Sequence, residues 1–284
     1  MKQLRLAVLL FCVALLCACG AQQQNNTPNT ADSVQEDVPP VKSSDPVYTY
    51  EDQLVSRQFA DEESGNVYAM YSYRVPMMRV ANADELTEEA LATAQRNAES
   101  FNAYMQEVLD RAVAFGEDMV VDLDSGNYSV NNAMPVADEK ELTAWQTGQI
   151  ITVRADGYSY SGGAHPYVYT DSYTFDLTVG QFVDPTQIGD DPESLRVKAA
   201  ALLVAQAEGL GEDYTEGYWN DYADIISHWN EATVLFDSEG MTVIFSAYEL
   251  GPYAMGPVEL FLTYEELADA IGEGGLTHLG ISQA

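Results

Sequence analysis

The chain has 284 residues, 45 of them acidic against 12 basic, for a formal net charge of −33. Such a balance excludes nucleic acid and anionic membrane surfaces as electrostatic partners, and leaves cationic proteins or metal cations as the ones that charge would attract. With 46% apolar residues, a chain this long can bury a sufficient core in one large or two ordinary domains without disulfide staples.

Residues 1–18 read as a targeting signal. Lys2 and Arg5 precede an apolar run from Leu6 to Leu16, which Leu16-Cys17-Ala18-Cys19 closes. A run of about 11 residues is too short to span a bilayer. The ending resembles a bacterial lipobox. That makes Cys19 the lipidated first residue of the mature chain and places the protein, membrane-anchored, on the extracytoplasmic face of a bacterium. Cys12 and Cys17 leave with the signal, so the folded part has no disulfide open to it. Cleavage also removes Lys2 and Arg5, leaving 45 acidic against 10 basic residues, a net of −35. The acids are spread along the sequence, as on a solubilising surface. Residues 19–46, rich in Gln, Asn, Thr, Ser and Pro, predict a disordered tether behind the lipid, with a reach of roughly 30 Å.

Folded structure is expected from Val47. Val47 to Tyr50 and Val67 to Val75 predict strands, the second with Val67, Ala69, Tyr71, Tyr73 and Val75 on one parity. Asn82 and Glu85 form a capping pair. Leu86, Ala90, Ala94, Phe101, Met105, Val108, Ala112 and Phe115 then recur at helical spacing, predicting a helix of about 30 residues that stops at Gly116. Asp122-Leu-Asp124-Ser-Gly126 is half of a calcium loop, but the bidentate glutamate is missing from its position, so a hairpin turn is the better reading.

Gln149 to Tyr160 carries Ile151, Val153 and Ala155 on one parity and enters Ser161-Gly162-Gly163-Ala164-His165-Pro166. Tyr167, Tyr169, Asp171, Tyr173, Phe175 and Leu177 then alternate with Thr170, Ser172, Thr174 and Asp176. This predicts a long hairpin through a Gly-Gly connection, each strand with one buried face. A composition shift between Thr178 and Asp191 marks a boundary between an N-terminal module, 47–180, and a C-terminal module, 181–272. In the second, Asp191-Pro192 opens a helix with Leu195, Ala199, Leu202 and Leu203 as its stripe, ending at Gly209. A short aromatic helix follows through Tyr218, Tyr222, Ile225 and Trp229. Strands Ala232 to Phe236 and Met241 to Tyr248 flank an Asp237–Gly240 turn. Thr263-Tyr-Glu-Glu266 is a capping box opening a last helix that ends near Gly272, and 273–284 reads as a flexible tail. Strands and helices in mixed order, without βαβ alternation, predict an α+β fold of mainly antiparallel sheets, each covered by helices on one face.

Three pieces together resemble a known module: Ser161-Gly-Gly-Ala-His165 with its strand to Leu177 and Gly180, the Asp237-Ser-Glu-Gly240 turn into Val243-Ile-Phe245, and Tyr248-Glu-Leu-Gly-Pro252-Tyr-Ala254. They are similar to the paired extracytoplasmic module of lysozyme-sensing anti-sigma factors, which also occurs beside peptidoglycan deacetylase domains and alone in lipoproteins. The resemblance spans roughly Val47 to Ile271. It implies a two-module α+β fold and binding of a wall component or a wall-directed protein. With no cytoplasmic segment or membrane helix ahead of the module in this sequence and no deacetylase domain behind it, signalling and deacetylation do not carry over.

Candidate chemistry is sparse. His165, His228 and His278 stand apart and the mature fold has no cysteine, so no zinc site or other cofactor is expected. Ser161 and His165 lack the Gly-x-Ser-x-Gly elbow of a nucleophile. Gly162 and Gly163 suit positive φ better than a phosphate cradle, which would want a nearby Lys or Arg. The binding reading assigns Ser161, Gly162, Gly163, His165 and Tyr167 on the hairpin, and Tyr248, Glu249 and Tyr253 on a later loop around Gly251-Pro252, with no catalytic residue. Together with the resemblance, this predicts a lipid-anchored, non-enzymatic binding or sensor protein for peptidoglycan or for a cationic wall-directed protein such as lysozyme. The alternative is a wall-polysaccharide hydrolase or deacetylase-like enzyme using His165 with nearby carboxylates.

Overall fold

A computed structural model describes residues 42–124, 134–210 and 217–282. The signal peptide, Cys19, the tether as far as Val41 and Gly126 of the half calcium loop lie outside the described residues. The first sheet has six strands in the order β1 (Tyr48–Ala60), β2 (Val67–Val80), β3 (Val136–Thr147), β4 (Ile150–Tyr160), β5 (Tyr167–Asp176) and β6 (Gln181–Val183). Every neighbouring pair is antiparallel except β2 with β3. A parallel pair needs a long crossover, and α1 (Glu88–Asp124) lies in it.

This helix starts later and runs further than its sequence spacing predicts. Asn82 does not cap it: its Oδ1 accepts from Val47 N at 2.8 Å and its Nδ2 donates to Asp45 O at 3.0 Å. Thr87 takes that role, accepting from Ala90 N at 3.2 Å. The last residues of the expected tether are therefore structured, since Ser43 N donates to Glu85 O at 2.7 Å and Ser43 O accepts from Thr87 N at 2.9 Å. Gly116 is not a stop. A Cβ there would lie 2.7 Å from the Tyr71 ring, so the glycine lets the helix settle onto the sheet. Met119, Val120 and Leu123 continue the apolar face over Ala69 and Val136, which puts Asp122 and Asp124 in the last helical turn and corrects the hairpin-turn reading.

Below α1, Phe101, Met105 and Leu109 pack on Tyr71, Tyr73, Leu142, Ile151, Val153 and Phe175. The β4–β5 hairpin forms in the expected register, with Ser159 opposite Tyr167. Towards Asp176 both its faces are covered, however, not one. Thr152, Thr174 and Asp176 on the polar parity are buried, because a second sheet lies there. This is an antiparallel sheet of β7 (Thr233–Phe236), β8 (Gly240–Phe245) and β9 (Val258–Thr263). Two of the hydroxyls that make that parity look solvated, those of Thr152 and Ser172, bind β7, while Thr174 Oγ1 is buried without a hydrogen-bond partner among the described residues. Phe236 O accepts from Trp145 Nε1 at 2.7 Å, Thr152 Oγ1 at 3.1 Å and Thr147 Oγ1 at 3.4 Å, and Val234 N donates to Ser172 Oγ at 2.7 Å. An edge strand is thus satisfied by side chains of another sheet.

The second sheet packs on α2 (Pro192–Gly209), α3 (Tyr222–Ser227) and α4 (Tyr264–His278) around Leu195, Leu203, Trp229, Phe236, Leu260 and Ile271. Asp191 caps α2 through Glu193 N and Ser194 N, and Thr263 with Glu266 forms the expected capping box of α4. The first sheet does not end at 180, since β6 pairs with β5 at Gln181–Val183, and both sheets share one compact unit. Nor is 273–282 a flexible tail. Gly272 kinks α4 at φ 83°, the helix resumes to His278, Leu276 and Leu279 are buried, and Gln149 N donates to His278 O at 2.8 Å.

His278 Nε2 also stands 3.2 Å from Asp176 Oδ1, off the line of a good hydrogen bond. Burial alone would raise the Asp176 carboxyl, but His278 and the Thr178 hydroxyl and N–H outweigh it and hold it below the usual carboxylate range. A folded-state value below the unfolded one gives stability that is full above the unfolded pKa, about 4, and lost as pH falls through the depressed folded value. Stability of Asp176→Asn, measured by urea unfolding between about pH 2 and 6, is expected to fall less steeply towards acid than that of the natural chain.

Candidate functional site at the glycine hairpin

Gly162 and Gly163 turn the hairpin at φ 94° and 109°, values that glycine adopts freely. Tyr160 OH donates to Gly163 O at 3.2 Å and fixes the turn. Beyond it the exposed His165 ring stacks on Tyr253 with centroids 3.9 Å apart and planes at 17°. Tyr253 OH donates to Pro166 O at 3.0 Å. His165 Nδ1 lies 2.9 Å from the same oxygen, and a carbonyl acceptor requires that nitrogen to carry the hydrogen. Tyr248 continues the row, 5.3 Å from Tyr253. The hairpin and the loop between β8 and β9 thus meet ring to ring across 88 positions of sequence.

Tyr248 is the one non-glycine with positive φ among the described residues, at 77°, and is 51% exposed. A backbone so strained at an exposed aromatic is held from outside. Trp219 holds it, donating Nε1 to Tyr248 O at 3.0 Å and its backbone N to Leu250 O at 2.7 Å. Sequence reasoning missed Trp219, whose role appears only when the short aromatic helix docks beside the loop. Glu249 is occupied locally. Its Oε2 accepts from Ser246 N at 2.6 Å and closes the turn, while burial, opposed by that bond and reinforced by Asp171, raises its carboxyl.

Tyr167 stacks on Tyr169, 5.6 Å between centroids, on the α1 side of β5. On the other side an apolar cavity of about 380 Å³ opens between Val168, Ala247, Tyr253, Met255 and Pro257. Ser161 is exposed at the turn and makes no described hydrogen bond to His165; no described carboxylate does so either. The other histidines serve the fold: His228 Nδ1 meets Asp224 O at 2.9 Å and His278 faces Asp176. Among the described residues no three metal-ligating side chains converge, and no helix is long and apolar enough to cross a membrane. What the edge offers is a rigid row of rings beside an apolar recess, which suits contact better than bond making.

Residues 205–265, from the end of α2 through α3, the Tyr248 loop and β9, match the model of a protein family of unknown function, DUF3298. A solved structure of a DUF3298 family member from Bacteroides fragilis superposes with a TM-score of 0.58 at 18% identity, over 83% of this chain and 97% of that one. A DUF3298 family protein from Pseudomonas aeruginosa gives 0.46 at 13% identity, over 82% and 98%. No curated protein matches. The Bacteroides likeness is one of fold. Tyr248, Glu249 and Tyr253 fall inside the matched segment and the glycine hairpin falls outside it, so the ring row joins the DUF3298 segment to the first sheet.

Proposed function

We propose that this is an extracytoplasmic binding or sensor protein, lipid-anchored through Cys19, whose partner is a cationic wall-directed protein. The His165–Tyr253–Tyr248 ring row, stacked at its first pair and tilted at its second, carries this reading. It is an exposed aromatic cluster, preorganised by a strained backbone, on a chain whose net charge favours basic partners. The resemblance to the lysozyme-sensing module supports lysozyme as the first partner to try. Rings of this kind receive Lys and Arg heads by cation–π contact, with the Val168–Met255 recess taking an aliphatic stem.

Charge alone draws any basic protein in dilute buffer, so the test compares lysozyme with an unrelated protein of equal basicity at low and at physiological salt. Calorimetry is expected to show lysozyme binding that survives physiological salt while the other is lost. Tyr248→Ala is expected to cost about 2 kcal/mol or more, as at an interface anchor, while exposed Glu88→Gln leaves the dissociation rate near its starting value. Equal affinities that vanish together with salt would defeat the proposal. Anchoring is read separately: Cys19→Ser is expected to shift the protein from the membrane fraction to the soluble one, since stable attachment needs more than one acyl chain.

A further inference from the structure

The α1 side of β5 carries a second concavity that the ring row does not use. The early turns of α1 are held by both margins of the curled sheet, Phe101 against Tyr50 of β1 and against Phe182 of β6. Its later turns lie on β2, with Gly116 over Tyr71. That course leaves the first half of β5 uncovered. A groove of about 530 Å³ results, walled by Arg111 and Phe115 of α1 and floored by Asp138, Lys140, Tyr169 and Tyr173, a size within the ~300–1,000 Å³ of small-ligand sites.

The floor is built and not incidental. Lys140 and Tyr169 lie on either side of Gly157 in the register of β3, β4 and β5. A Cβ at Gly157 would overlap the Tyr169 ring, so the ring lies flat against β4. Lys140 Nζ sits 5.2 Å from the centre of that ring and 3.6 Å from Asp171. Asp138, only 6% exposed, accepts from Tyr73 OH on Oδ2 at 2.8 Å, and Oδ1 has no described hydrogen bond. Across the groove Arg111 uses Nε on Glu107 O at 3.2 Å. Its remaining N–H groups have no carboxylate partner among the described ion pairs.

Two cations thus reach one tyrosine-lined groove, Lys140 shared with Asp171 and Arg111 with no carboxylate partner among the described ion pairs, beside the buried Asp138. A flat phenol takes the C–H face of a sugar ring. A buried carboxylate oxygen accepts from hydroxyls, and a guanidinium with free N–H groups takes a carboxylate. The geometry points to a binding groove for a sugar ring that bears a carboxylate, its face on Tyr169, a hydroxyl on Asp138 Oδ1 and its carboxylate on Arg111 and Lys140. Pure aromatic stacking would hold neutral sugars equally well; the Arg111 guanidinium, with Lys140 beside it, predicts discrimination in favour of the acid.

The probes are N-acetylmuramic acid and glucuronic acid, each beside its uncharged counterpart, N-acetylglucosamine and glucose, titrated into the folded protein and followed by ligand-observed NMR. At least one acid is expected to bind about tenfold or more tightly than its neutral counterpart. Arg111→Gln, an exposed change on α1 that leaves the His165–Tyr253–Tyr248 row intact, is expected to remove that preference, and Tyr169→Phe to keep it. Absence of binding by both acids, equal binding of acid and neutral sugars, or a preference unchanged in Arg111→Gln would each overturn the assignment. Lysozyme binding by Arg111→Gln is expected to be unaffected, which separates a failure of the groove from a failure of the ring row.

Discussion

Phe101→Ala is expected to lower the stability of the fold by about 3–5 kcal/mol, the range for removing a buried aromatic from a core that cannot collapse. The ring is fully buried and touches Tyr50, Phe175 and Phe182 at centroid separations of 6.0, 5.5 and 5.5 Å. Those partners come from β1, β5 and β6, so one side chain joins both margins of the first sheet to α1. Its neighbours are themselves large rings fixed by strand pairing, and they cannot move in to fill the space. For a unit of this size the loss corresponds to a fall in Tm of roughly 6–20 °C. Phe115→Ala, on the same helix but 56% exposed, is expected to stay within about 0.5 kcal/mol. Thermal and urea unfolding of the pair decide the matter: similar losses in both would mean that α1 is not clamped at Phe101.

The periodic elements were legible because their signal is local. The apolar stripe of α1 and the alternation through Tyr167–Leu177 follow from the period of one element; Ala94, Phe101, Met105, Val108, Phe175 and Leu177 are buried as read, while Leu86 precedes the helix and Phe115 and Tyr167 are exposed. β3 was not legible, because Asp138, Glu139, Lys140 and Glu141 look like a solvated run. Asp138 is tolerable inside only because Tyr73 donates to it, and Lys140 because Tyr169 and Asp171 flank it; neither partner can be inferred from the strand itself. The same holds for Thr152 and Ser172, polar by sequence yet bonded to β7. β9 escaped because Val258, Leu260 and Leu262 follow directly on the Gly-Pro loop and precede a capping box without a turn. In the ring row, the residue types and their two loops could be read, but the His165–Tyr253 stack and the hold of Trp219 on Tyr248 are contacts between distant segments that no period announces.

The glycines of α4 were read as fraying for the same reason, and Gly272→Ala is the substitution expected to expose the error most plainly, at about 2–4 kcal/mol. Gly272 has φ 83° and ψ 167°, a region that is essentially glycine's alone and costs other residues on the order of 1–3 kcal/mol. A Cβ there would also overlap the Asp190 carboxylate. That carboxylate accepts from Gly274 N at 3.2 Å and Gly275 N at 2.9 Å, while Asp190 N donates to Ile271 O at 2.9 Å. Asp190 therefore caps the helical piece that carries Leu276, His278 and Leu279 onto the β3–β4 turn. Displacing it frees two helical N–H groups as well as straining the backbone. Gly65→Ala is the control: its φ is 71° and nothing lies within 4 Å of the added carbon, so it is expected to show conformational strain alone, about 1–2 kcal/mol. In an Asp190→Ala background the overlap with the carboxylate is gone and only the Cβ of residue 190 stays near, at 3.0 Å, so Gly272→Ala is expected to cost less than in the natural chain. The cycle of single and double variants measures that coupling directly. Strict additivity of the two substitutions would show that the carboxylate and the glycine do not depend on each other, and the account of the C-terminal helix would fail.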